Sequence, residues 1–85
     1  MFFHFIGIKG SGMASLACML KDLGNEVIGS DIDKHFFTEE ELVKRNIKIL
    51  PFSEDNIKEG MVIVQGNAFN DEHIEVKKAH ELGGR

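Results

Sequence analysis

The tightest constraint on this chain lies near its N-terminus. Phe3-His4-Phe5-Ile6-Gly7-Ile8 is a β-prone run that breaks into glycines at positions 7, 10 and 12. Directly after it, Met13, Leu16, Ala17, Leu20 and Leu23 recur at helical spacing, which predicts a helix from about Ser11 to Leu23 that ends at Gly24. A second strand follows in Glu26-Val27-Ile28-Gly29-Ser30-Asp31. Two strands joined by a helix lie parallel, with a right-handed crossover.

The same alternation continues. Thr38-Glu39-Glu40-Glu41 reads as a capping box, with the Thr38 hydroxyl accepting from the Glu41 amide, and opens a short helix to about Arg45. Ile47-Lys48-Ile49-Leu50, closed by Pro51, is a third strand. Met61-Val62-Ile63-Val64 is an unbroken apolar run, as expected of a strand covered on both faces. Asn70 is the expected cap of a last helix, with Asp71 and Glu72 in its first turn and Lys77, Lys78 and His80 near its end. Gly83 and Gly84 stop it. The order β-α-β-α-β-β-α predicts an α/β fold: a Rossmann-like, doubly wound parallel sheet of about four strands with helices on both faces. The 85 residues suffice for one domain and one core. Half-folds of this kind normally continue, so the chain reads as the N-terminal piece of a longer protein.

Composition removes several functions. Ten Lys+Arg against 14 Asp+Glu give a net charge of -4, and no basic stripe is present for nucleic acid. No segment reaches the roughly 18–20 apolar residues of a membrane span, and the N-terminus lacks the positive region and cleavage site of a signal peptide. The expectation is a cytoplasmic, soluble chain. Cys18 stands alone, which excludes an intrachain disulfide, and reads as a small buried or half-buried helix residue. His4, His35, His73 and His80 show no metal-ligand spacing; His73 and His80 read as surface residues.

Function points to the glycine turn. A helix N-terminus offers unpaired backbone N–H groups and partial positive charge, and glycines let a diphosphate approach the backbone. Asp31 follows Gly12 by 19 residues, close to the offset at which an acid meets a ribose in nucleotide-binding βαβ units. As an acceptor-only group it would supply nucleoside selectivity and little phosphate affinity. An ATP P-loop needs Gly-Lys-Ser/Thr, whereas this chain has Lys9-Gly10 and no Gly-Lys pair. Two other readings stay open. One is an NAD-binding regulatory module of the ion-transport type, against which the G-x-x-G-x-G spacing counts. The other is a tight turn that binds nothing.

The strings His4-Phe5-Ile6-Gly7-Ile8-Lys9-Gly10-Ser11-Gly12-Met13, Gly29-Ser30-Asp31, Asn56-Ile57-Lys58 and Gly66-Asn67-Ala68-Phe69 resemble the N-terminal domain of the Mur ligases over essentially the whole chain. Gly12-Met13 favours the branch that adds L-alanine. The resemblance implies a three-domain, ATP-dependent, amide-forming enzyme of peptidoglycan precursor synthesis. Its N-terminal domain would hold the UDP part of UDP-N-acetylmuramate, a central domain would use ATP and Mg2+, and a C-terminal domain would present L-alanine. This piece alone would then be non-catalytic. Carried onto this chain, the backbone of Gly10, Ser11, Gly12 and Met13 would hold the diphosphate, Ser30 and Asp31 would face the uridine, and Asn67 and Ala68 would close the far side. Pro51-Phe52 stand where many relatives carry Gly-His, which leaves Phe52 to stack on a base. Lys9 replaces a common glycine and would either add charge near the diphosphate or point to water. Phe36 and Phe37 would cover the sheet edge or meet another domain.

Overall fold

The computed structural model describes residues 1–66, 69 and 72–82. Strands β1 (Phe2–Ile6), β2 (Glu26–Ser30), β3 (Lys48–Leu50) and β4 (Val62–Gln65) alternate with helices α1 (Ser11–Asp22), α2 (Glu39–Lys44) and α3 (Ile74–Glu81), and a 3₁₀ turn spans Glu54–Asn56. All pairings are parallel and the strand order is β3-β2-β1-β4. The predicted doubly wound α/β sheet is therefore present.

One face of the sheet carries the main apolar core. Phe5 and Val27 pack there with Ile8, Ala14, Ala17, Cys18, Leu42 and Ile47. Gly29 makes room for this packing, since a Cβ there would lie 2.6 Å from the Ile8 Cβ. The inward stripe of α1 is Ala14, Ala17 and Cys18, while Leu16 and Leu23 turn outward. The spacing alone assigned those two leucines inward; the small residues win because α1 and α2 lie against the same sheet face.

Helix ends are set by local chemistry. Gly24 has φ +95°; its amide donates to the Lys21 carbonyl and that of Asn25 to the Leu20 carbonyl, a Schellman ending. Asn46, at φ +60°, ends α2 the same way, with the Ile47 amide on the Leu42 carbonyl and both side chains in the core. The expected capping box does not form. Thr38 Oγ1 instead donates to the Lys9 carbonyl (2.6 Å), and Glu39 accepts from the Phe36 amide (2.8 Å).

Two further expectations change. Among the described residues β4 is an edge strand, and its apolar run is half-buried rather than covered on both faces. Helix α3 is capped by His73, whose Nδ1 accepts from the Glu75 amide (3.2 Å). His73 is half-buried, its ring edge-on to Phe52 (4.5 Å) and Phe69 (5.0 Å). The cap expected at Asn70, the acid at Asp71 and the stop at Gly83 and Gly84 lie outside the described residues.

The second face is organised by one buried carboxylate. Glu75 Oε1 accepts from His4 Nε2 (2.8 Å) and Ser30 Oγ (2.6 Å); Oε2 accepts from the Ser53 amide (3.0 Å) and Asn56 Nδ2 (2.9 Å). Glu75, His4 and Ser30 are fully buried, and His4 Nδ1 has no partner among the described residues. Burial pushes the Glu75 carboxyl up, but the bonds from His4, Ser30, Ser53 and Asn56 together hold it below its ordinary value of 4.5. A depressed folded value stabilises the fold above the unfolded value, and that contribution is lost as pH falls through the folded one. Glu75→Gln puts an amide among four donors and should cost about 3 kcal/mol or more in urea unfolding at neutral pH. The gap between wild type and variant should narrow below pH 4.5 as the wild-type carboxyl takes up its proton.

Candidate functional site

In a doubly wound sheet the ligand crevice opens where successive strands leave a central strand in opposite directions. Here β2 and β3 lie on one side of β1 and β4 on the other, so the crevice sits at the C-terminal ends of β1 and β4. The glycine turn spans its mouth.

Gly7 has φ +84°, and a Cβ there would overlap the Phe69 ring, so the turn needs glycine at this point. The Gly7 and Ile8 amides donate to the Ser30 carbonyl (2.9 and 3.1 Å), and the Gly10 amide returns to the Gly7 carbonyl (3.2 Å). Gly10 is the N-cap of α1 in an extended conformation, and no side chain caps the helix. The first helical bond runs from the Ala14 amide to the Gly10 carbonyl (2.7 Å). The amides of Ser11, Gly12 and Met13 therefore lack intrahelical acceptors and carry the positive end of the helix dipole. Ser11 and Gly12 are exposed, and a Cβ on Gly12 would meet nothing within 4 Å. Gly12 does not have positive φ. Its lack of a side chain serves no internal packing and leaves space over the helix mouth.

The neighbouring side chains turn inward. Lys9 is only 7% exposed; its Nζ donates to the Ile32 carbonyl (2.9 Å) and the Lys34 carbonyl (2.6 Å) and lies 3.4 Å from Glu39 Oε2. Both expectations for Lys9, charge at a diphosphate or a side chain in water, give way to this internal role. Asp31 Oδ2 accepts from the Lys9 amide (2.8 Å) and Oδ1 from the Ile32 amide (2.7 Å). The Phe36 amide, with Lys9 and His35 nearby, holds the Glu39 carboxyl below the ordinary range against partial desolvation.

Of the residues singled out from sequence, Gly10, Ser11, Gly12 and Met13 form the open helix mouth, and Asp31 stands beside it. Ser30 does not face the crevice. Its hydroxyl is buried and donates to Glu75, and its carbonyl holds the glycine turn. Asn67 and Ala68 lie outside the described residues. Phe52 packs edge-on against Phe69 (5.7 Å) and His73, in a half-buried aromatic cluster. Phe36 lies 5.9 Å from the ammonium groups of Lys9 and Lys34, and Phe37 is 78% exposed. A depression of about 390 Å³ beside the glycine turn is lined by Lys9, Asp31, Ile32, Leu50 and Pro51 among others. Its size falls in the range of roughly 300–1,000 Å³ typical of small-molecule sites.

Glu75, fully buried, went unread in the sequence, and His73, half-buried, read as a surface residue. Glu75 shares the buried stripe of α3 with Val76 and Ala79, and His4 lies between core aromatics. A polar residue in each apolar position demands a partner, which is the one signal that could have paired them. Among the described residues no three His, Cys, Asp or Glu side chains converge as metal ligands.

Sheet order and open helix mouth define a doubly wound α/β domain whose crevice is built on a glycine-rich strand–helix turn. The family described as "Mur ligase family, catalytic domain" matches residues 2–84, and the chain belongs to the Mur ligase family. It is 60% identical over 81 residues to the UDP-N-acetylmuramate–L-alanine ligase of Ligilactobacillus salivarius, covering 95% of this chain and 18% of that protein. The Limosilactobacillus reuteri protein of the same name is 58% identical over 81 residues, with 95% and 19% covered. Among solved structures, the UDP-N-acetylmuramate–alanine ligase of Thermotoga maritima superposes with TM-score 0.84 at 33% identity, covering 95% of this chain and 19% of that one. A murein peptide ligase from Psychrobacter arcticus gives 0.86 at 26% identity, with 100% and 18% covered. The chain thus spans under a fifth of the length of these relatives. No helix among the described residues is long and apolar enough to cross a membrane.

Because Gly12 has open space around it and an ordinary φ, Gly12→Val should fold with a melting temperature within about 3 °C of wild type. Its branched Cβ would stand over the Ser11–Met13 amides, so calorimetry should show pyrophosphate affinity lost by at least about tenfold. Normal affinity in the folded variant would place the anion elsewhere.

Proposed function

We propose that this chain holds the UDP part of UDP-N-acetylmuramate, as the substrate-binding domain of a ligase that adds L-alanine in peptidoglycan precursor synthesis. The observation that carries the reading is the uncapped mouth of α1 at the switch point of a Mur ligase family sheet. The Ser11, Gly12 and Met13 amides would donate to the diphosphate, where helix dipole and hydrogen bonding act together. The nucleoside would lie in the depression between the ends of β2 and β3, where each Asp31 oxygen keeps acceptor capacity beyond the bond it already receives. The names of the similar ligases supply the sugar and amino-acid chemistry.

The ATP and Mg2+ that the resemblance implies do not fit the residues here. The chain has no Gly-Lys-Ser/Thr loop, and its described side chains form no metal-ligand group. No step through either is assigned to this chain; in the proposed ligase they act on other domains. Residues 9–13 should accordingly show saturable amide shifts in NMR titrations with UDP and with UDP-N-acetylmuramate. Shifts with NAD alone would support the dinucleotide-binding module instead, and no shift with any of them would leave a structural turn.

The geometry also changes what Asp31 should do. Its Oδ2 fixes the Lys9 amide inside the glycine turn, so Asp31→Ala should weaken UDP and pyrophosphate together and lower the melting temperature. Calorimetry with both ligands checks this; loss of UDP affinity alone would return Asp31 to a purely nucleoside-reading role.

A further inference from the structure

Lys9 meets segment 31–39 from three of its own groups. Its amide is held by Asp31, its carbonyl accepts from Thr38 Oγ1, and its Nζ donates to the Ile32 and Lys34 carbonyls beside Glu39 Oε2. Glu39 in turn holds the Phe36 amide (2.8 Å), and the Phe36 ring lies 5.9 Å from Nζ. A lysine ammonium has three N–H donors. Two carbonyls take two of them and the ammonium is ion-paired with the Glu39 carboxylate 3.4 Å away, which commits it to the protein rather than to a phosphate.

We propose that Lys9 is a specificity-determining positioning residue, which holds segment 31–39 against the glycine turn and so pre-forms the nucleoside side of the site without touching the diphosphate. The inference rests on the UDP-binding reading above. Physically, segment 31–34 has no regular secondary structure, and its carbonyls at 32 and 34 converge on one buried cation. With the ammonium removed, the carbonyls lose their common donor and Glu39 its counter-charge, so the wall of the depression at Ile32 and Asp33 loosens, while Asp31 keeps its bond to the Lys9 backbone amide. The open amides of Ser11 to Met13 belong to helix α1 and stay in place. A ligand with a nucleoside pays for reordering that wall, whereas bare pyrophosphate does not meet it.

The test uses Lys9→Met in the full 85-residue chain, which keeps the length of the side chain and removes its charge. Calorimetry with UDP and with pyrophosphate is compared with amide hydrogen exchange over residues 32–39. Expected are a UDP affinity lower by about tenfold or more, a pyrophosphate affinity within about twofold, and faster exchange in 32–39 with β1 and β2 unchanged. Equal loss for both ligands, or no loss for either, in a variant whose wild type binds UDP overturns the role of Lys9 and leaves the UDP reading standing. A wild-type chain that does not bind UDP overturns both. Should Lys9→Met not fold, Thr38→Val cuts the bond to the Lys9 carbonyl from the other side. It should show the same selective loss, and unchanged selectivity there would overturn the proposal.

Discussion

Four donors from three parts of the chain converge on the carboxylate of Glu75: β1 through His4, β2 through Ser30, and the 53–56 turn through the Ser53 amide and Asn56. Helix α3, which carries the carboxylate, is short and has few apolar residues, so packing alone holds it weakly. The buried anion compensates by being fully hydrogen-bonded, the condition under which burying charge is tolerable. His73 and Phe69, at the crevice rim, are positioned by the same anchorage, since His73 caps the turn that presents Glu75. Without the carboxylate the second face of the sheet would keep Ile6, Ile57, Val76 and Ala79 as its buried apolar packing among the described residues.

A similar economy governs the glycine turn. Lys9 and Asp31 are the ionic side chains nearest to it, and both are committed to the protein: the lysine to two carbonyls, the aspartate to two amides. What remains open to an anion is backbone. The chain carries a net charge of -4, so long-range attraction cannot gather a negatively charged ligand. Attraction has to come at close range from the helix mouth, whose partial charge of roughly half a unit acts only within the first turn. In the proposed reading such binding would depend on shape, so Gly12 would matter more to a ligand than to the fold.

Much of the fold was legible because its signals are local. The β-prone run, the glycine turn, the helical spacing and the Gly24 ending each act within a few residues, and the observed elements match them to within one or two residues. Less local features were misread. Thr38 looked like a cap by its spacing to Glu41, but the Lys9 carbonyl, distant in sequence, takes its hydroxyl. Ser30 was assigned to the uridine by the family resemblance alone, yet alternation along β2 turns its side chain to the face where Glu75 lies. His73 looked exposed because nothing in its own segment revealed the rings of Phe52 and Phe69. Lys9 is the sharpest case: a lysine in a phosphate-type turn suggests a ligand, and only the fold of residues 31–39 around it shows otherwise. The helix mouth itself was readable, since glycine spacing between strand and helix is a local property.

The Lys9 and Asp31 side chains beside the turn are held by the protein, so a diphosphate would be left to the backbone. A crystal structure of the chain with UDP bound tests it most directly. The diphosphate should lie within hydrogen-bond distance of the Ser11, Gly12 and Met13 amides, with Lys9 Nζ still on the Ile32 and Lys34 carbonyls. A structure with the Lys9 ammonium swung out onto a phosphate oxygen would contradict it.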